Sequence, residues 1–280
     1  MSDRIHIVTA IYGDQHGPYL EALLGSLLEL REAQPTALAA VHVLHAEVPA
    51  PRLETWQAAA GPDVVWAPIV GESVRALLEG EPDRARRVAR KVWVWTEAVA
   101  PLAPGLRVVC LDADTLVLRP PAEAWAGVPG GFQLGYTHRA GRWPLNTGVL
   151  FLETSPRAIR ELADWARATE RWLTTPERTK QAIDAYGAPD QAGLVERLAV
   201  IQEAGGIRTH RLAADVWNQD RCPPDLATVG ILHLKGCLPL LLGTRPYGAE
   251  HGDERTPEAC AAAFARWHRA RARFLSGGVA

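Results

Sequence analysis

Several scarcities in the sequence bound its function before any motif is considered. Four cysteines in 280 residues, Cys110, Cys222, Cys237 and Cys260, form no Cys-x-x-Cys pair. Scattered thiols of this kind read as reduced, which points to a cytoplasmic setting. Neither sign of charge is in excess: 30 Lys and Arg stand against 32 Asp and Glu, a net charge of −2. That balance gives no reason to invoke nucleic acid or an anionic membrane. No apolar run approaches the ~20 residues of a membrane-spanning helix. The chain opens on a strand-like run, Ile5 to Ala10, and not on a leader segment. Internal repeats, low-complexity tracts and linkers are also missing. The expectation is one domain over residues 1–255, with a C-terminal helix over 256–280 packed on it or extending from it. A chain of 280 residues buries a sizeable core without staples.

What is present is an apolar run that ends on acids. Arg107-Val108-Val109-Cys110-Leu111 leads into Asp112-Ala113-Asp114, and a second apolar run, Thr115 to Leu118, follows. A continuous β-branched run fits a strand buried on both faces of a parallel sheet. The acids then fall where that strand ends, which is where open α/β sheets bind ligands. Two like charges at the mouth of a core strand repel each other and lose solvation, so they call for a cation, Mg²⁺ or Mn²⁺ by the hardness of oxygen ligands. The bland alternative is a solvated turn that happens to carry two acids.

Around this stretch the chain alternates. Strands are expected at Ile5 to Ala10, Ala40 to Leu44 and Val64 to Ile69, with helices at Tyr19 to Glu32 and Leu53 to Ala60. This is the pattern of right-handed βαβ units. A polar stretch, Gly71 to Arg87, interrupts it. Val88 to Val99 reads as helix, with Lys91 near its start. Phe132 to Thr137 and the run after Leu145 read as strands. Ser155-Pro156 is a helix start, and further helices are expected at Glu177 to Ala185 and from Asp190 to about Leu198. Asp215 to Asn218 reads as a loop, Gly230 to Gly236 as a short strand ending at a histidine and a glycine, and Thr256-Pro257-Glu258 as the cap of the last helix.

Taken singly these pieces are weak; their order is informative. The opening strand with Thr9-Ala10, Lys91 to Trp95, Leu111 to Leu118 around Asp112 and Asp114, Asn146-Thr147-Gly148-Val149, Asp190-Gln191, Trp217-Asn218 and His233 to Gly236 together resemble the family 8 glycosyltransferases, the group of glycogenin and bacterial galactosyltransferases. The resemblance implies the GT-A fold: α/β, Rossmann-like, with a mixed, mainly parallel sheet flanked by helices. It implies retaining transfer of a hexose from a nucleotide sugar, UDP-linked, to an acceptor that the sequence does not name. Expected partners are that donor and acceptor, with no nucleic acid and no transmembrane segment; a homo-oligomer is left open.

The same resemblance distributes roles. Asp112, Asp114 and His233 would hold the metal, and an imidazole beside carboxylates suits Mn²⁺ better than Mg²⁺. Ala10, Ile11, Tyr12 and Asp14, with Thr9 and Ala113, would line the nucleotide site. Lys91 would hold the diphosphate or a carboxylate near the donor. Asn146, Thr147 and Gly148 would meet sugar hydroxyls, with Asn218 nearby, and Lys235 and Gly236 would approach the diphosphate. Gln191 would sit beneath the anomeric carbon and Asp190 would bind a sugar hydroxyl. Residue type alone leaves other uses open: a buried structural histidine at 233, a solvated lysine at 91, a tight turn at 146–148, and a helix N-cap at Asp190. One departure from the family pattern is Cys237 to Leu241, where a Lys-Pro-Trp is usual; Lys235 or Arg245 would have to supply the missing cation.

Two other functions fit part of the pattern. An Asp-x-Asp after an apolar strand also opens haloacid-dehalogenase-type phosphatases, but no later Gly-Asp-x-x-x-Asp motif is present. A catalytically silent nucleotide-sugar-binding protein would tolerate the lost lysine. The arginines of the C-terminal helix, Arg266, Arg269, Arg271 and Arg273, read as one face of a docked helix before an acceptor or membrane surface.

Overall fold

The computed structural model describes residues 4–69, 88–139, 143, 145–220, 223, 225–234 and 260–277. Strands β1 (Ile5–Tyr12), β2 (Leu38–Ala46), β3 (Val64–Pro68) and β4 (Arg107–Leu111) pair in parallel in the order β3-β2-β1-β4. β7 (Leu145–Glu153) runs antiparallel to β4 and to β6 (Leu134–His138), and β8 (Thr209–Ala213) lies parallel to β6. Among the described residues the result is a seven-stranded mixed sheet in which β7 alone is reversed. A separate two-stranded ribbon joins β5 (Thr115–Val117) to β9 (Ile231–His233).

Side chains alternate along each strand, so the two faces feed two apolar clusters. Ile5, Ile7, Ile11, Val109, Leu111 and Phe151 face the helices α1 (Gly17–Ala33) and α2 (Ala50–Ala60). Val8, Val108, Cys110, Leu150 and Leu152 face α3 (Lys91–Val99), α5 (Pro156–Trp172) and α7 (Pro189–Ala204). From Val108 to Leu111 every residue of β4 is fully buried, as a strand covered on both faces must be. Ser155 caps α5 by accepting from the Ala158 amide at 3.1 Å, with Pro156 at the first position. α6 (Pro176–Tyr186) begins the same way at Thr175.

Three local expectations differ. Residues 214–217 are not loop but a short helix, α8 (Ala214–Trp217), with Asn218 just beyond it. β8 and the one-turn α4 (Glu123–Ala126) were not expected at all. Cys260 is disulfide-bonded and Cys110 is free and buried, so the reading of four reduced thiols is wrong for Cys260. Its partner lies outside the described residues, and wide spacing hides such pairings in a sequence. The cysteine argument for a reducing compartment falls with it. Among the described residues no helix is long and apolar enough to cross a membrane.

The last helix, α9 (Ala261–Leu275), is part of the fold. A Cβ on Gly25 of α1 would stand 1.7 Å from the Ala270 carbonyl oxygen, so α1 and α9 touch backbone to backbone. The fully buried Glu21 accepts from Arg271 Nε (2.7 Å), Arg52 Nη2 (2.6 Å) and Trp56 Nε1 (3.0 Å). Arg266 pairs with Glu29 and Arg273 with Glu32. Three of the four arginines therefore serve docking, and of the four only Arg269 is exposed. The Thr256 to Glu258 cap lies outside the described residues.

Candidate active site

The site forms where the main sheet hands the chain to the ribbon. β4 pairs with β7 up to Leu111 and Val149, and the ladder takes one further step through the Asp112 amide to the Gly148 carbonyl, 2.8 Å. Asp112-Ala113-Asp114 then crosses into β5. Thr115 Oγ1 closes the turn on the Asp112 carbonyl at 2.8 Å. In the ribbon Thr115 stands opposite His233, and the Leu234 amide donates to the Asp114 carbonyl at 2.7 Å. Residues 121 positions apart in the chain are thereby brought to one point by strand register alone.

At that point His233 Nε2 lies 3.0 Å from Asp114 Oδ1 and 3.9 Å from Asp112 Oδ2. One ligand atom from each of the three lies within 4.8 Å of the others. His233 is buried, while the side chains of Asp112 and Asp114 are 21% and 22% exposed, which leaves the cluster open on one side. Gly148 makes the room: a Cβ there would meet His233 Cε1 at 2.2 Å, Nδ1 at 2.7 Å and Asp112 Oδ2 at 3.0 Å.

Behind Asp112 stands a buried cation. Lys91 Nζ donates to both Asp112 oxygens, at 2.8 and 2.7 Å, and lies 3.5 Å from Asp190 Oδ2. Its ammonium also sits 5.1 Å over the Trp95 ring. Burial alone would lower the Lys91 pKa, but the charges of Asp112 and Asp190 outweigh it and hold it above the ordinary lysine value. Burial raises Asp112 above the usual carboxylate range, with Asp114 adding to the rise and Lys91 opposing it. Counting these described side chains alone, and with the acids ionised, Asp112, Asp114 and Asp190 carry −3 against +1 on Lys91. A divalent cation offsets such an excess of acid, and two carboxylates with an imidazole are a donor set that Mn²⁺ accepts.

Asp190 is held from both sides. Thr147 Oγ1 donates to its Oδ2 at 2.5 Å, and Trp165 Nε1 donates to its backbone carbonyl at 2.8 Å. The N-cap alternative fails here: the cap position of α7 is Ala188, and Asp190 lies inside the first turn with its carboxylate turned to Lys91. Gln191, also buried, has one end of its amide between the carbonyls of Tyr186 (2.6 Å) and Leu145 (2.5 Å), and since carbonyls only accept, that end is assigned as the nitrogen. Asn146 is used internally. Its Oδ1 accepts from the Gly148 amide at 3.0 Å and its Nδ2 donates to Asp220 Oδ2 at 3.2 Å. Asn218 Oδ1 lies 2.9 Å from His233 Nδ1.

The β1 residues divide. Ala10 and Tyr12 lie on the face toward α3, while Ile11 packs into the opposite cluster and Thr9, two residues before it, shares that face. The hydroxyls of Thr9 and Tyr12 are buried without hydrogen-bond partners among the described residues. Burial, then the Asp112 charge, raises the Tyr12 phenol far above its usual range, so it stays protonated. Asp14 is exposed in the loop after β1. Lys235, Gly236 and Arg245 lie outside the described residues. Sequence reasoning missed Thr137, Asp220, Trp165 and Arg139, which pairs with Asp220; each acts through a distant partner that no local motif announces.

No protein-family model and no curated protein matches the sequence. Solved structures do. The galactosyltransferase LgtC in complex with donor and acceptor sugar analogs matches over 95% of each chain at 17% identity and a TM-score of 0.53. A Gln-to-Glu active-site mutant of LgtC matches at 18% identity, over 94% of this chain and 95% of that one, with a TM-score of 0.54. The glycosyltransferase GlyE of Streptococcus pneumoniae matches 98% of this chain and 62% of its own length at 14% identity, with a TM-score of 0.55. The seven-stranded mixed sheet, its flanking helices and the cluster at the end of β4 thus belong to a chain with the GT-A glycosyltransferase fold.

Proposed function

We propose that the protein is a divalent-metal-dependent, retaining glycosyltransferase that takes a hexose from a UDP-sugar. The observation that carries this reading is the convergence of Asp112, Asp114 and His233 at the carboxyl end of β4, backed by the buried Lys91 and Asp190. Asp112, Asp114 and His233 would hold Mn²⁺ or Mg²⁺. When bound, the ion would neutralise the charge that grows on the departing diphosphate. Lys91 opposes the upward shift that burial imposes on Asp112 and fixes its carboxylate for that purpose. Asp190, anchored through Oδ2, has Oδ1 to receive a sugar hydroxyl. Gln191, anchored through its amide nitrogen, has Oε1 to stand beside the anomeric carbon. The orphaned Tyr12 hydroxyl, on the Lys91 face, suits the nucleotide. In retaining transfer the leaving phosphate accepts the incoming hydroxyl's proton, so no strong protein base is demanded.

Fold likeness to LgtC and GlyE supports a glycosyltransferase, and the likeness to a galactosyltransferase favours a hexose. The haloacid-dehalogenase reading loses its scaffold, because the sheet is that of GT-A enzymes. Cytoplasmic location and self-association gain no support from the structure. The test is a panel of nucleotide sugars with Mn²⁺, scored by nucleoside diphosphate release. Release from a UDP-hexose, abolished in Asp112→Ala/Asp114→Ala, is expected. UDP binding without release would instead identify a silent binding protein.

A further inference from the structure

The hydrogen bonds behind His233 permit one assignment. The Asn146 carbonyl accepts from Asn218 Nδ2 at 2.9 Å and from Thr137 Oγ1 at 3.0 Å. A carbonyl cannot donate, so the Asn218 nitrogen lies on that side and its Oδ1 on the other. Oδ1, which also cannot donate, lies 2.9 Å from His233 Nδ1. Nδ1 therefore carries the proton, and in uncharged imidazole Nε2 presents a lone pair. That lone pair points at Asp114 Oδ1 and Asp112 Oδ2. A lone pair facing two carboxylate oxygens is unfavourable unless a cation stands among them, either a proton on Nε2 or a metal ion.

We propose that Asn218 is a positioning residue that locks His233 in the Nδ1–H tautomer and so makes Nε2 the third ligand of a divalent cation. The inference rests on reading Asp112, Asp114 and His233 as a cation site. Asn218 is itself fixed from behind. Its Nδ2 also donates to Thr137 Oγ1 at 2.8 Å. Asn146, whose carbonyl receives it, is pinned by Gly148 and by Asp220, and Asp220 is paired with Arg139. Asn218, Thr137, Asn146 and His233 are all buried, so water does not compete for these bonds. The chain of contacts from Arg139 to His233 thus orders one imidazole. Partners of this kind are worth about 10–100-fold in metal affinity.

The test uses the full-length protein and two readouts besides activity. The first is ¹⁵N NMR of the histidine side chains in metal-free protein at alkaline pH, with His233 assigned by its substitution. The second is Mn²⁺ affinity by electron paramagnetic resonance titration. Wild type is expected to show Nδ1–H at His233. Asn218→Leu, of similar volume, is expected to show mixed tautomers and Mn²⁺ binding weaker by about 10–100-fold. Asn218→Asp keeps an acceptor for Nδ1–H but turns its second oxygen on the Asn146 carbonyl, so it is expected to recover the Nδ1–H tautomer and only part of the Mn²⁺ affinity. A wild type with the proton on Nε2 would overturn the lock, and that spectrum decides the matter even if Asn218→Leu fails to fold. A folded Asn218→Leu that binds Mn²⁺ within about twofold of wild type would also overturn it. Failure of wild type itself to bind Mn²⁺ would overturn the cation reading beneath.

Discussion

Substituting Gly148 by alanine adds one methyl at the centre of the site, and the structure fixes what that methyl meets. Its carbon would lie 2.2 Å from His233 Cε1, 2.7 Å from Nδ1 and 3.0 Å from Asp112 Oδ2. Carbon atoms rest at about 3.5–4.0 Å, so something must yield by more than about 1 Å. The imidazole is not a flexible end. Its Nδ1 is tied to Asn218 and its backbone to β5. Asp112 is clamped by Lys91. Either His233 swings out of the cluster or β7 shifts within a ladder bonded on both sides. Overpacking of this sort costs about 1–3 kcal/mol. Domains of 150–250 residues lose about 2–4 °C of Tm per kcal/mol, so a fall of several degrees is expected in scanning calorimetry. The larger effect falls on Mn²⁺ binding, measured by titration calorimetry, because the displaced ring is a proposed ligand; the loss is expected to reach about tenfold or more. A Gly148→Ala protein with wild-type Tm and wild-type Mn²⁺ affinity would refute the reasoning.

Other perturbations read other parts of the account. Lys91→Met leaves Asp112 and Asp190 without their shared cation, and breaking a buried pair costs about 3–5 kcal/mol. Urea denaturation should show that loss, and added Mn²⁺ should return part of it. Glu21→Ala uncouples Arg271, Arg52 and Trp56 from one another; limited proteolysis should then clip α9 faster than in wild type. Acid should destabilise the fold. Burial, aided by Arg4, lowers the pKa of His6, and burial lowers those of His42 and His45, from the ordinary 6.5. His6 Nδ1 and His42 Nε2 stand 3.1 Å apart, which suits one shared proton. The unfolded chain therefore binds more protons. Stability is complete above that ordinary value and falls as the pH drops through it toward the lowered folded values. Thermal melts across this range should show the decline, and His42→Gln should flatten it.

The parts of the fold legible in the sequence are those where burial writes itself into residue type. β4 and β7 are buried on both faces, and their apolar runs announce them. Ser155-Pro156 announces α5 because a cap is chemically specific. β8, Thr209 to Ala213, has one buried residue in five and carries no alternation to read. The four residues of α8 are too few for a period. At the site, Asp112 and Asp114 were legible as like charges after a core strand, and His233 through its place in an ordered set. Asp190 was ambiguous, since an acid after proline at a helix start is chemically a good cap; only tertiary contact with Lys91 and Thr147 decides against it. Asn146 shows the reverse. It was expected to meet a sugar, and in the fold each polar atom of its side chain already holds one partner, the Gly148 amide and Asp220. Networks assembled from positions 137, 146, 218, 220 and 233 leave no local pattern, because strand register brings them together.

The measurement that bears most directly on the central claim is equilibrium binding of UDP to the wild-type protein, with Mn²⁺ and with chelator, followed by thermal shift or calorimetry. The account predicts clear stabilisation by UDP plus Mn²⁺, little by UDP with chelator, and none by either in Asp112→Ala/Asp114→Ala. Equal binding with and without the metal, or binding that survives loss of both aspartates, would contradict it.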